Sequence, residues 1–174
     1  VPARLTDAHG GAVTVPRAGF RLNDGMDAFA SAPGKASMYG LVQGAANAIA
    51  PGKRMLSAMT PSVVVDSLGQ LFMVVGTPGG PRIITQVYHV ISNVIDHHMS
   101  LADAVSAPRL HHQGLPDEIQ IERGAFPPAT IAGLEALGHH IHQVGYSGEG
   151  EAFIRTLTVG EAGSYRRTSV GGAG

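Results

Sequence analysis

Cysteine is absent from these 174 residues, which removes disulfides, thiol catalysis and thiolate metal sites but says little about compartment. Charge is scarce too: charged residues make up 14%, and the formal net charge is -1. A nucleic-acid binder would carry a basic face, and a disordered or strongly acidic segment would not reach the 44% hydrophobic content found here. No apolar run approaches the roughly 20 residues of a membrane span, so the chain reads as soluble. No signal peptide is visible, and Val1 in place of Met reads as a chain that begins part-way through a gene product. What is plentiful is glycine, 24 residues, which suits tight turns around packed strands. The length suffices for one domain with a sizeable core, taken as 1–174.

The most informative stretch is Gly76-Thr77-Pro78-Gly79-Gly80-Pro81-Arg82. It lies between an apolar run, Leu71 to Val75, and a helical pattern that starts at Ile83. A glycine pair between strand and helix leaves two backbone N–H groups without side-chain cover, at the positive end of a helix dipole. Pro81 fits the first helical turn, where a missing N–H costs nothing. Such a corner can hold an anion, or the negative oxygen that develops during acyl transfer. The plain alternative is a turn that joins two elements.

In chain order, Ala3 to Thr6 and Ala12 to Val15 read as short strands, followed by an extended Phe20-Arg21-Leu22. Asn23 to Arg54 is turn-rich and holds Ala-Pro-Gly-Lys twice, at Ala32 to Lys35 and Ala50 to Lys53, which is loop chemistry and not a repeat fold. Ser62 to Asp66 and Leu71 to Val75 form a hairpin whose nearly all-apolar strands predict cover on both faces. Ile83, Ile84, Val87, Ile91, Val94 and Ile95 fall on one helical stripe. Leu101 to Val105 reads as a second helix, Ile119 to Glu122 as a strand, and Pro127 to Leu137 as a helix capped by Gly138. Ile141 to Val144 and Ala152 to Val159 read as the last strands before a Gly-rich tail. This order predicts a layered α/β (α+β) sandwich.

Other patterns fail on inspection. The pairs His97-His98, His111-His112 and His139-His140 point their side chains in different directions on a helix or a strand, so they do not chelate one metal. His140 and His142 could share a strand face, but no carboxylate cluster stands near them in sequence. Gly145-Tyr146-Ser147-Gly148-Glu149 lacks the final glycine of a nucleophile elbow. Neither Gly34-Lys35-Ala36 nor Gly52-Lys53-Arg54 has the hydroxyl of a phosphate loop. No metal and no cofactor is expected.

Longer motifs carry a resemblance. Asn47 to Pro61, with Lys53-Arg54-Met55-Leu56-Ser57-Ala58-Met59-Thr60 at its centre, looks like the substrate-pocket segment of γ-glutamyltransferases. Gly76 to Thr85, Ala107 to Gln113 and Leu115 to Glu118 resemble further signatures of that family, as does Phe20 to Phe29, and the match covers Leu5 to Gly160. The resemblance implies the four-layered αββα sandwich of N-terminal-nucleophile hydrolases. It implies a precursor that cleaves itself, with this chain as the small subunit beside a large subunit from the same precursor. It also implies Gly79 and Gly80 as oxyanion donors, Ser57 as a carboxylate-binding hydroxyl, Tyr39 as the aromatic of a lid loop, and Asn23, Gly25, Asp27, Ala28 and Ala58 as donor-contacting positions.

In that chemistry a threonine at a fresh N-terminus carries its own base, an α-amine with a pKa of about 8, and attacks an amide carbonyl. Water or an amine acceptor then releases the acyl group. Aligning Asp7 with the family's early strand implies that the expected threonine falls immediately before Val1; neither Thr6 nor Thr14 can substitute, since an internal threonine has no free α-amine. The join Val13 to Arg17 is also shorter than the family pattern, and reads as an omitted segment that normally carries a threonine and an asparagine. In the pocket, Gly25, Ala28 and Ala58 stand where γ-glutamyl enzymes place an acidic or amide group, a carboxylate and a second serine, and Asp27 is the neighbouring candidate for the donor ammonium. Two alternatives follow: a pocket remodelled for another acyl group, with glutaryl-amide or C–C cleavage, or a nucleophile-free subunit kept for assembly. Family relatives point to the periplasm or secretion, and to the cytosol for biosynthetic members.

Overall fold

The computed structural model describes residues 11, 13–37, 39–145, 150–155 and 160–165, the last two stretches as backbone. The expected strand Ala3 to Thr6 lies outside these residues, as does the Tyr146 to Glu149 part of the failed elbow. The chain divides into two compact units, Val1–Ser57 and Ala58–Gly174.

In the first unit, turns replace regular elements. Thr14 and Arg21 form a single antiparallel bridge, so the described part of the expected Ala12 to Val15 strand pairs at one residue. Single-turn 3-10 helices occupy Gly25–Ala28 and Ala45–Asn47, and isolated bridges join Ala30 to Ala48 and Ala36 to Val42. The two Ala-Pro-Gly-Lys stretches make the same turn. Lys35 N–H donates to the Ala32 carbonyl and Lys53 N–H to that of Ala50, with Gly34 and Gly52 at φ 85° and 69°. Proline presets the second position and glycine supplies the positive φ of the third.

The second unit is built of sheets and helices. Strands β1 (Ser62–Val65) and β2 (Leu71–Gly76) form the expected hairpin. Its turn is tied by Asp66, whose carboxylate accepts from the N–H groups of Leu68 and Gln70 at 2.9 and 2.8 Å. Helix α1 (Arg82–Ile95) follows, then α2 (Leu101–Ser106), which the Ser100 hydroxyl caps at the Asp103 N–H. Strands β3 (Leu110–His111), β4 (Ile119–Glu122) and β5 (Ile141–Val144) make a three-stranded sheet, with β4 and β5 parallel across helix α3 (Pro128–Ala136). Past α3, Gly138 at φ 93° donates to the Glu135 carbonyl and His139 to that of Leu134, the glycine ending expected for this helix. Strands β6 (Gly150–Arg155) and β7 (Gly160–Tyr165) join β2 in a four-stranded sheet of order β1-β2-β6-β7. This corrects the expected single last strand from Ala152 to Val159, since Arg155 ends β6 and a further strand starts at Gly160.

Two periodicity readings are also adjusted. The core joins Met73 and Val75 of β2 to Ile83, Val87 and Val90 of α1 and Leu101 and Val105 of α2. The buried stripe of α1 is therefore Ile83-Gln86-Val87-Val90, with Ile91 and Val94 packed against the core, while Ile84 and Ile95 are exposed. A glutamine on the stripe hid the true centre of the face. The β1–β2 hairpin is covered on one side only, because Val63, Val65 and Val74 are 65%, 55% and 38% exposed on the other. Val63 and Val74 are direct cross-strand partners, so their bare side chains adjoin.

Candidate active site

The glycine corner is the best-defined chemical feature. Met73 and Val75 anchor the end of β2 in the core, and Ile83 and Val87 anchor the start of α1, so both flanks are fixed by burial. Between them Gly79 and Gly80 adopt φ 142° and 59°, values that a side chain disfavours. Their carbonyls accept from the N–H groups of Arg82 and Ile83 at 3.2 and 3.1 Å, which opens the helix. Among the described residues, the N–H groups of Gly79 and Gly80 donate to no protein acceptor. Both residues are half-buried, so the pair of amides is uncommitted and only partly wet. Amides at the start of a helix lack intrahelical partners by geometry, so the pair is free to take an acceptor from outside the chain, as an anion site requires and a plain turn permits.

A buried polar seam backs this corner. Gln86, Arg109, His111 and Glu122 are the buried polar residues of the described chain. Gln86 Oε1 accepts from Thr77 Oγ1 at 2.6 Å, and Arg109 Nη1 lies 3.4 Å from the same oxygen. Arg109 Nη2 donates to the Val105 carbonyl at 2.9 Å. His111 Nδ1 meets Thr85 Oγ1 at 2.9 Å and its Nε2 meets Gln113 Oε1 at 3.0 Å. Arg82 Nε donates to Gln120 Oε1 at 3.1 Å, linking the first turn of α1 to β4. The signature Ala107 to Gln113 is thus a brace between α1 and the second sheet. Its function was not legible, since no spacing in the sequence brings Arg109 to Gln86. His89, on the same helix, has a pKa below the ordinary histidine value, first through burial and then through the charges of Arg109 and His111. Its Nδ1 is buried without a hydrogen-bond partner.

The donor-contacting candidates of the first unit sit on its turns. Asn23 Oδ1 accepts from the Gly25 N–H at 2.9 Å, which starts the turn that carries Asp27 and Ala28. Gly25 is buried, and a Cβ there would stand 2.9 Å from Asn23 Oδ1 and 3.4 Å from Met55 Cε. A longer residue at that position would have to move the ends of the Asn23 and Met55 side chains. Asp27 and Ser57 are exposed, and Ala28 is half-buried. Tyr39 sits in a tight turn closed by Ser37 N–H to the Leu41 carbonyl at 2.8 Å. Asn47, which had no expected role, knits this unit: its amide donates to the Ala28 carbonyl at 2.7 Å and accepts from the Leu56 N–H at 3.1 Å. Lys53 donates to the Ala46 and Ala48 carbonyls at 2.6 and 2.9 Å, so its ammonium serves the loop itself. In the second unit, Ala58 is half-buried on the extended approach to β1.

His142 gains a carboxylate partner that its sequence neighbourhood did not offer. Parallel pairing of β4 with β5 brings Glu118 to 3.0 Å from His142 Nδ1. Hydrogen bonds from Gln120 and then from His142 hold the Glu118 carboxyl below its usual value. Among the described residues no group of three or more His, Asp or Glu gathers in metal-binding reach, and no helix is long and apolar enough to cross a membrane.

Comparison with known proteins adds to this geometry. The Gamma-glutamyltranspeptidase family model matches residues 5–174. The glutathione hydrolase proenzyme of Escherichia coli (strain K12) is 45% identical over 137 residues, which cover 79% of this chain and 23% of that protein. That of Pseudomonas aeruginosa is 46% identical over 143 residues, covering 79% and 25%. The chain therefore spans about a quarter of the length of these curated relatives. The γ-glutamyltranspeptidase structures of Helicobacter pylori and Pseudomonas nitroreducens superpose with TM-scores of 0.87 and 0.84 at 42% identity, each over 94% of this chain and over 90% and 86% of theirs. The fold is that of the N-terminal-nucleophile hydrolases. A strand-to-helix glycine corner, a family model spanning nearly the whole chain and close structural kin agree: this chain belongs to the γ-glutamyltranspeptidase family.

Proposed function

We propose that residues 1–174 form the small subunit of a γ-glutamyl hydrolase and transferase that acts on glutathione-type donors. The observation that carries this reading is the uncommitted amide pair of Gly79 and Gly80. A threonine in the position before Val1 attacks the donor's γ-carbonyl through its hydroxyl, and its own α-amine accepts the proton. The carbonyl oxygen becomes an oxyanion held by the two glycine amides, helped by the positive end of α1. Collapse breaks the C–N bond, the leaving amine takes the proton, and an ester to the threonine remains. Water or an amine then attacks that ester through a second oxyanion in the same place.

Ser57 and Asn23 are assigned to the donor carboxylate, Asp27 to its ammonium, and Tyr39 to the loop that closes over it. The curated relatives are proenzymes, which supports a large subunit cut from the same precursor. The bare valines of the β1–β2 hairpin, Val63, Val65 and Val74, supply an apolar sheet face for it to cover.

The test is turnover of γ-glutamyl-p-nitroanilide by the processed full-length enzyme. Gly80→Ala, which puts a side chain at φ 59°, is expected to lower kcat about 100-fold with little change in KM. Undiminished kcat in a folded, processed variant would remove the glycine amides from the mechanism. Intact mass of the processed small subunit reads the first residue; a chain without the preceding threonine would leave the nucleophile unassigned and favour a binding subunit.

A further inference from the structure

Gln86 is 1% exposed, on a helix face whose other buried members are Ile83, Val87 and Val90. An apolar side chain would complete that stripe, yet the position holds a carboxamide, and burying an amide costs stability unless it is hydrogen-bonded. What it touches explains the choice. Its oxygen takes the Thr77 hydroxyl at 2.6 Å, two residues before the glycine pair. Its nitrogen lies 3.3 Å from the point that a Cβ on Gly79 would occupy, so the amide rests against the bare backbone of that glycine. From behind, Arg109 Nη1 approaches the same oxygen at 3.4 Å, and Arg109 is itself held to the end of α2 through the Val105 carbonyl.

We infer that Gln86 is a positioning residue that sets the direction of the Gly79 and Gly80 amides. The inference rests on reading those amides as the oxyanion donors. Glycines at φ 142° and 59° have wide conformational freedom, and the bonds from Arg82 and Ile83 fix their carbonyls but not the approach from β2. Gln86 fixes that approach by holding Thr77 and closing the space behind Gly79, while Arg109 keeps the carboxamide from turning. A donor turned away from the oxyanion loses most of its effect, since such bonds act only when already aimed at the developing charge. The arrangement acts on the transition state and not on substrate binding, so it belongs in kcat.

The experiment uses the processed full-length enzyme and γ-glutamyl-p-nitroanilide. Gln86→Met keeps the length and apolar fit but removes the acceptor; kcat is expected to fall about 10-fold with KM within about twofold. Gln86→Glu keeps an acceptor for Thr77 and Arg109 and is expected to recover most of that loss. Thr77→Val, which alters only the hydroxyl, should lower kcat on its own and add nothing in the Gln86→Met background, the mark of two residues acting through one contact. Thr77→Val alone decides the matter where Gln86→Met does not fold. A rise in KM with kcat unchanged, a Glu variant as poor as the Met variant, or losses that multiply would each overturn the assignment. Gly80→Ala in the same series separates the levels. If it lowers kcat while Gln86→Met and Thr77→Val do not, only this inference fails; if it leaves kcat intact, the oxyanion reading fails and this one with it.

Discussion

Residues 11–57 and residues 58–165 solve the problem of holding a shape in different ways. Among the described residues of the first unit the buried apolar side chains are Phe29 and Ala30, and order comes from backbone turns and from Asn47, which ties residue 28 to residue 56. In the second, Met73, Val75, Ile83, Val87, Val90, Leu101 and Val105 make a continuous core. Turns tied by single hydrogen bonds tolerate rearrangement, while a packed core moves only as a whole. The candidate donor contacts lie mostly on the adaptable unit and the candidate oxyanion amides on the rigid one.

The contrast breaks most visibly through paired truncations. Met73→Ala, at a side chain with no exposure, is expected to cost about 2–5 kcal/mol and lower the thermal midpoint sharply. Asn47→Ala, which leaves the Ala28 carbonyl and the Leu56 N–H without partners, is expected to cost about 1 kcal/mol and to raise the donor KM instead. Equal losses of midpoint from both would show that the two regions are held alike.

A smaller effect sharpens the comparison at the pocket. Ala28→Asp with Ala58→Ser is expected to raise kcat/KM for γ-glutamyl-p-nitroanilide about tenfold, by returning a charge partner and a hydroxyl to the donor head. A side chain at Gly25 would first have to displace Asn23 Oδ1, which a Cβ there meets at 2.9 Å and which holds the Gly25 N–H. An unchanged ratio in the double variant would place these two positions away from the donor.

The smallest effect belongs to the rigid unit. The His89 pKa is lowered by burial, then by Arg109 and His111, so the folded protein resists taking the proton that the unfolded chain takes near pH 6.5. Stability is complete above that pH and declines as the pH falls from there toward the lowered folded value. His89→Leu should flatten that acid limb in urea unfolding followed from pH 7.5 to 5; a limb as steep as before would assign the loss to other groups.

Much of the second unit was legible because its signals are local. Valine runs bracket Asp66 to Gln70, Gly138 marks a helix end, and Gly79-Gly80-Pro81 punctuates strand and helix. Strand β7 was missed because Gly160 to Ser164 carries no alternating apolar pattern, and pairing with β6 decides it. The first unit was legible only as turns, since the bonds of Asn47 span gaps with no period.

By itself, then, the amino-acid order determined the class of fold and the place of the glycine corner, because apolar spacing and turn chemistry act over a few residues at a time, while the family was legible through the resemblance of longer motifs. Tertiary structure alone decided that Gln86 faces Thr77 and Arg109, that Glu118 meets His142, and that one side of the β1–β2 hairpin stays bare. Those facts depend on which elements pack together, and contact between residues 23 or 24 positions apart leaves no mark in local spacing.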